Sequence, residues 1–203
     1  MSIIAKQGAT RDAIPEGQYT AICTRVIDLG DQENKKFGKT NRQVMFCWEL
    51  PDCTIDVDGN PMPRHISRDF TLSLGEKSAL RPFLEAWRGA TFTEDQLSGF
   101  DLKNVLGAPC LLQVIHNEAG YERISSIMKL PGKMERPTPA TELLLVDFDS
   151  ANFMETIDKL PDWIKDKVKA SPQYAEVVSH KSGAADAPGG FTELDDDGEE
   201  LPF

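Results

Sequence analysis

The chain has 203 residues, with 22 Lys+Arg against 33 Asp+Glu and a formal net charge of −11. That length suits one domain of about 130–150 residues plus appendages. No apolar run approaches the roughly 20 residues of a membrane span, and the first residues lack a charged-then-apolar signal pattern, so no membrane association is expected and the expected location is cytoplasmic.

As an average, the acidity argues against a nucleic-acid partner, but its distribution reverses that inference. Residues 1–140 hold 17 basic against 18 acidic side chains, a net of −1, while residues 141–203 hold 5 against 15, a net of −10. A nearly neutral body can carry a basic face while the acidity is segregated at the end. Cys23, Cys47, Cys53 and Cys110 form no Cys-x-x-Cys pair, and three of them sit in apolar strand-like runs. They read as reduced core thiols.

Residues 1–15 show no periodicity and read as an N-terminal arm. Residues 17–27 are β-branched and alternate as a half-buried strand does. A polar connection follows, holding Lys35, Lys36, Phe37 and Lys39, with Arg42 just beyond. Residues 43–50, Gln-Val-Met-Phe-Cys-Trp-Glu-Leu, form the strongest strand pattern in the chain. Residues 51–63 read as a second turn-rich connection, with Asp58-Gly59-Asn60 as a tight turn. Residues 64–74 alternate again, setting Ile66, Arg68, Phe70 and Leu72 against His65, Ser67, Asp69 and Thr71.

The period changes at Gly75. Leu80, Phe83, Leu84 and Trp87 share a helical stripe that Gly89 ends, and Pro82 marks a start or a kink. Thr93 and Gln96 have the spacing of a capping box. Two further strands, 109–117 and 120–130, are joined by a turn at 117–120. Three strands, a helix and two strands is the order of an OB-fold, a five-stranded barrel with a helix between strands 3 and 4. A small α+β sheet with one covering helix fits the same string. Residues 141–180 read as an extension with short helices, whose buried face is Phe153, Ile157, Leu160, Trp163 and Ile164. Residues 181–203 read as a disordered acidic tail, and chain beyond Val178 is expected to lack structure.

Single-strand binding needs cations along a groove for phosphates and aromatic faces for bases. Lys35, Lys36, Lys39 and Arg42 supply charge at the first hairpin, with Phe37 among them. Arg64 and Arg68 open the third strand, and Tyr121 and Arg123 stand at the last hairpin. Trp48 is a candidate base platform, although a large aromatic on that face is more often core than platform. Tyr19 suits a groove wall or a barrel rim, and Trp87 and Trp163 read as packing.

Enzyme chemistry finds little support. His65, His116 and His180 are far apart, and no P-loop, Gly-x-Ser-x-Gly or Gly-x-Gly-x-x-Gly occurs. Asp52, Asp56 and Asp58 cluster in a loop without the Gly and terminal Glu of a calcium site, and read as solvated. No catalytic residue, cofactor or metal is expected.

The end of the chain, Asp195-Asp196-Asp197-Gly198-Glu199-Glu200-Leu201-Pro202-Phe203, runs five acids into an apolar tip. Pro202 restricts the backbone before Phe203, so the ring reaches a basic, apolar-lined pocket at modest entropic cost. Asp195, Asp196, Asp197, Leu201, Pro202 and Phe203 resemble the Asp-Asp-Asp-Ile-Pro-Phe tip of bacterial and phage single-stranded DNA-binding proteins. The departures are the inserted Gly198-Glu199-Glu200 and Leu201 in place of Ile. Residues 64–107 look like phage-encoded members of that group, through Phe70-Thr71-Leu72-Ser73-Leu74, Lys77-Ser78-Ala79-Leu80-Arg81, Trp87-Arg88-Gly89 and Gly99-Phe100-Asp101-Leu102.

The resemblance implies an OB-fold body over 1–140, coating of single-stranded DNA in phage replication or recombination within the host cytoplasm, and recruitment of partner proteins by the tip. A homo-oligomer stays open. The rival reading is an acidic protein-interaction or DNA-mimic module that never touches DNA.

Overall fold

The computed structural model describes residues 13–34 and 38–183. Its frame is a six-stranded, mainly antiparallel sheet: β1 (Gly17–Asn34), β2 (Lys39–Val57), β3 (Asn60–Thr71), β4 (Pro109–His116), β5 (Glu122–Lys129) and β6 (Leu144–Val146). Hydrogen bonding runs β3-β2-β1-β4-β5, and β6 adds to β1 in parallel.

The long first strand serves three partners by changing neighbours along its length. β2 pairs with it from Ile22 to Asn34, whereas its other edge pairs with β4 over residues 17–22 and with β6 over 25–27. The changeover coincides with a register shift between Cys23 and Arg25. The extra residue, Thr24, is buried there, and its hydroxyl has no hydrogen-bond partner. A bulge bends a strand and sharpens its twist, which lets one edge serve two neighbours.

The sheet does not close, so the expected five-stranded closed barrel is corrected to an open sheet with an added sixth strand. β3 and β5 are the two ends of the hydrogen-bonded path. Between them a side chain stands in for a ladder, as Arg68 Nη1 donates to the Ile124 carbonyl at 3.0 Å. A second correction concerns residues 51–63, expected as a loop. They continue the β2–β3 ladder past an irregularity between Leu50 and Thr54. Asp58 and Gly59 make the turn with φ of 54° and 83°, the left-handed pair that a tight two-residue hairpin requires.

One core lies between the sheet and the helical insertion. Val44, Phe46, Trp48 and Leu50 of β2 meet Leu80, Phe83, Leu84 and Trp87 of α1 (Leu80–Arg88) there. Pro82 is the third residue of α1, where its missing N–H has no intrahelical acceptor to lose. Gly89 closes the helix at φ 66°, donating to the Glu85 carbonyl. Thr93 and Gln96 form both bonds of the expected capping box on α2 (Glu94–Ser98).

A second core covers the opposite face. Ile27, Leu29, Met45 and Cys47 pack against Phe153, Ile157, Leu160, Ile164 and Val168. These come from α3 (Phe153–Asp158), the turn after it and α4 (Asp162–Lys169). Trp163, expected on that buried face, is instead 51% exposed. α5 (Pro172–Gly183) continues past Val178, where structure was expected to end. Gly30, at φ 69°, lets this layer approach: a Cβ there would lie 2.6 Å from Ser171 Cβ. Of the expected tail, 181–203, residues 181–183 end α5 and 184–203 lie outside the described residues.

The second layer is tied down by a buried carboxylate. Glu49 is fully buried on β2; its Oε1 accepts from Ala140 N at 2.7 Å, and Oε2 accepts from Thr141 N at 3.0 Å and Thr141 Oγ1 at 2.7 Å. Glu49→Ala strands three donors and should lower unfolding free energy by about 3 kcal/mol, since each unsatisfied buried group costs roughly 1–3 kcal/mol. Chemical denaturation reads this directly; an unchanged midpoint would show that the tether contributes nothing.

Candidate nucleic-acid interface

The open seam between β3 and β5 is a groove of about 870 Å³. Arg68 and Ser67 of β3 form one wall, and the β4–β5 hairpin with Arg123 forms the other. Alternation puts Arg68 on the inward side of β3 with Ile66 and Phe70, but at the unpaired edge. Its guanidinium lies 4.8 Å from the Phe70 ring centroid and 5.2 Å from that of Phe83. Burial, and then the neighbouring Arg123 charge, push the Arg68 pKa down. Among the described residues neither arginine is in an ion pair with a carboxylate. Two like charges outside any such ion pair attract anions.

A second cavity, of about 690 Å³, opens between α4 and the outer side of β1–β3. It meets the groove at Ser67 and Glu122, which line both. Arg25, opposite Cys47 in the β1–β2 register, faces it with His65 and Trp163. Burial and then Arg25 hold the His65 pKa below its usual value, against the pull of Glu49. Groove and cavity thus carry three arginines and an exposed tryptophan. Glu118 and Glu122 also line this surface, and Glu122 accepts from Ile14 N at 3.1 Å.

The sequence-derived candidates divide. Arg68 and Arg123 line the groove, and Tyr121, 57% exposed, stands in the hairpin that forms its wall. Lys39 and Arg42 are exposed near the far end of the β1–β2 hairpin and border neither cavity. Arg42 is occupied: its Nε donates to Asp28 Oδ2 at 3.0 Å, and that bond raises its pKa, with smaller contributions from Asp149 and Asp147. Arg64 is half-buried beside Tyr19, whose own pKa is raised chiefly by burial. Lys35, Lys36 and Phe37 lie outside the described residues, as do Asp195, Asp196, Asp197, Leu201, Pro202 and Phe203.

Trp48 is corrected from candidate platform to core. It is fully buried, with ring centroids 5.5 Å from Trp87 and 5.8 Å from both Phe46 and Phe83. No base can reach it. Arg25, His65 and Trp163 were the missed residues, and the spacing on α4 carried a partial signal for Trp163. Leu160, Ile164 and Val168 recur at i, i+4 and form the buried stripe, which leaves Trp163 and Lys167 on another face of α4. Lys167 Nζ accordingly lies 5.6 Å from the Trp163 ring centroid.

Asp52 accepts from Thr20 Oγ1, and Asp56 accepts from Gly59 N at 2.8 Å. Among the described residues no group of three His, Cys, Asp or Glu is arranged to hold a metal ion. All four cysteines are free thiols; burial pushes Cys47 up to about 12 and raises Cys23 and Cys110 as well. No helix among the described residues is long and apolar enough to cross a membrane. No protein-family model, curated protein or solved structure matches the chain.

Trp48→Ala should cost about 3–5 kcal/mol of stability, the range for deleting a buried large aromatic. Wherever the variant remains folded, strand affinity should be unchanged, as read by thermal melts alongside oligonucleotide titration. Weakened binding by folded Trp48→Ala would return that ring to the interface.

Proposed function

We propose that the chain binds single-stranded DNA without marked sequence preference, with the phosphates following the groove from Arg123 past Arg68 towards Arg25. The observation that carries this reading is the run of three arginines, none in a carboxylate ion pair among the described residues, along two adjoining depressions of a protein whose net charge is −11. Such cations are the sequence-independent part of strand recognition. The exposed rings of Tyr121 and Trp163 offer stacking surfaces beside them.

The open sheet is read as an OB-type barrel with an unzipped β3–β5 seam. Three features support that: the β1–β2–β3 meander, the helical insertion before β4, and the pairing of β4 with β1. The residues from Asp195 to Phe203 are proposed as the recruiting segment for replication or recombination proteins, on the resemblance of their sequence.

Binding of a labelled oligothymidine of about 30 nucleotides, across a salt series and with duplex of equal length as control, tests the reading. Single-strand binding that weakens with salt is expected, and the duplex should bind far less. Arg123→Ala, at an exposed side chain, should weaken binding about three- to tenfold and reduce the salt slope by about 1. Absence of binding at low salt, by the full chain and by residues 1–183 alike, would replace this reading with the acidic interaction module.

The acidic segment generates a separate expectation. Its seven carboxylates after Lys181 compete with the strand for the arginines, so truncation after Gly183 should tighten binding at low salt and lose that advantage at high salt. Deleting Leu201, Pro202 and Phe203 should spare strand binding and abolish capture of a replication partner. Equal affinities for the full and truncated chains at low salt would rule out competition.

A further inference from the structure

We propose that the cavity between α4 and β1–β3 is a base-stacking subsite, with Trp163 as the platform and Arg25 holding the adjoining phosphate. The proposal rests on the single-strand reading above and assigns one nucleotide of the strand to one place.

Three observations converge on it. Trp48 and Trp87 are buried, 0% and 3% exposed, while Trp163 leaves 51% of its surface to solvent on a rigid support. Its neighbours on α4, Ile164 and Val168, are locked into the second core. Gln32 Nε2 fixes the helix by donating to the Lys167 carbonyl at 2.9 Å, and Lys167 Nζ, held by Asp69, sits over one face of the ring and leaves the other for a base. A fixed aromatic ring loses little entropy when a base stacks on it.

Charge completes the site. Among the described residues Arg25 is in no ion pair, although it is half-buried in the cavity wall that Cys47 and His65 also line. An arginine held there outside an ion pair suits an incoming phosphate oxygen. The volume, about 690 Å³, falls within the range of roughly 300–1,000 Å³ typical of small-ligand sites. The groove enters it at Ser67 and Glu122, so a strand passing Arg68 is led to Trp163.

The test uses the full-length chain, labelled oligothymidine and the intrinsic tryptophan emission, whose solvent-exposed source is Trp163. Strand binding should quench that emission. Trp163→Ala should weaken binding about tenfold, the equivalent of one stacked base, and Trp163→Phe should restore most of it. On an abasic strand of equal length, wild type and Trp163→Ala should bind alike. Arg25→Gln should weaken both strands equally.

If labelled strand binds wild type but emission is unchanged and Trp163→Ala binds as tightly, the subsite is refuted and the groove reading stands. Equal weakening by Trp163→Ala on normal and abasic strands also refutes stacking. If wild type binds no strand at all, the functional reading itself fails.

Discussion

Seven consecutive residues of β2, 44–50, are buried, because their side chains alternate between two cores. An ordinary half-buried strand needs one cover; this one needs two. Phe46 and Trp48 require the α1 side, and Met45 and Cys47 require the layer built from residues 144–177. Burying a large apolar side chain contributes about 1.5–3 kcal/mol. Neither cover is therefore an ornament on a self-sufficient sheet. Glu49, pointing to the second side among apolar neighbours, makes that cover specific: its oxygens are satisfied by the backbone at Ala140 and Thr141 and by the Thr141 hydroxyl.

The double cover also shapes the candidate interface. α1 packs on one face of the open sheet, β3 and β5 are not paired, and Arg68 occupies the seam with its charge stacked on Phe70 and Phe83. On the other side, α4 settles against β1 and β2 but leaves a gap beside β3. Groove and gap meet at Ser67, an outward-facing residue of β3. The arginines come from β1, β3 and β5, so their alignment depends on sheet register and on the bulge at Thr24.

Charge is partitioned to match. Near the β1–β2 hairpin, Arg42 is paired with Asp28 and lies in the field of Asp147 and Asp149, so that end of the sheet presents little free positive charge among the described residues. Arg25, Arg68 and Arg123 are in no ion pair among the described residues, although Glu118 and Glu122 line the same surface. A near-neutral body can thus have a directional field, which a whole-chain charge of −11 conceals.

Local chemistry by itself determined the central segments of β1 to β5, though not their extensions over 28–34 and 51–63, together with the α1 stripe, the Gly89 stop, the Thr93–Gln96 cap and the segregation of acids, since each depends on residues within a few positions of one another. It also placed Arg68 and Arg123 among the candidates. Only the tertiary structure decided that Trp48 is core and Trp163 is exposed. Alternation says that Trp48 shares a face with Phe46, but whether that face meets α1 or solvent depends on chain more than thirty residues away. The exposure of Trp163 follows from which stripe of α4 docks on Ile27, Leu29 and Met45. Closure of the sheet was likewise undecided by strand order: it depends on whether β3 and β5 meet edge to edge, and a single arginine stands between them.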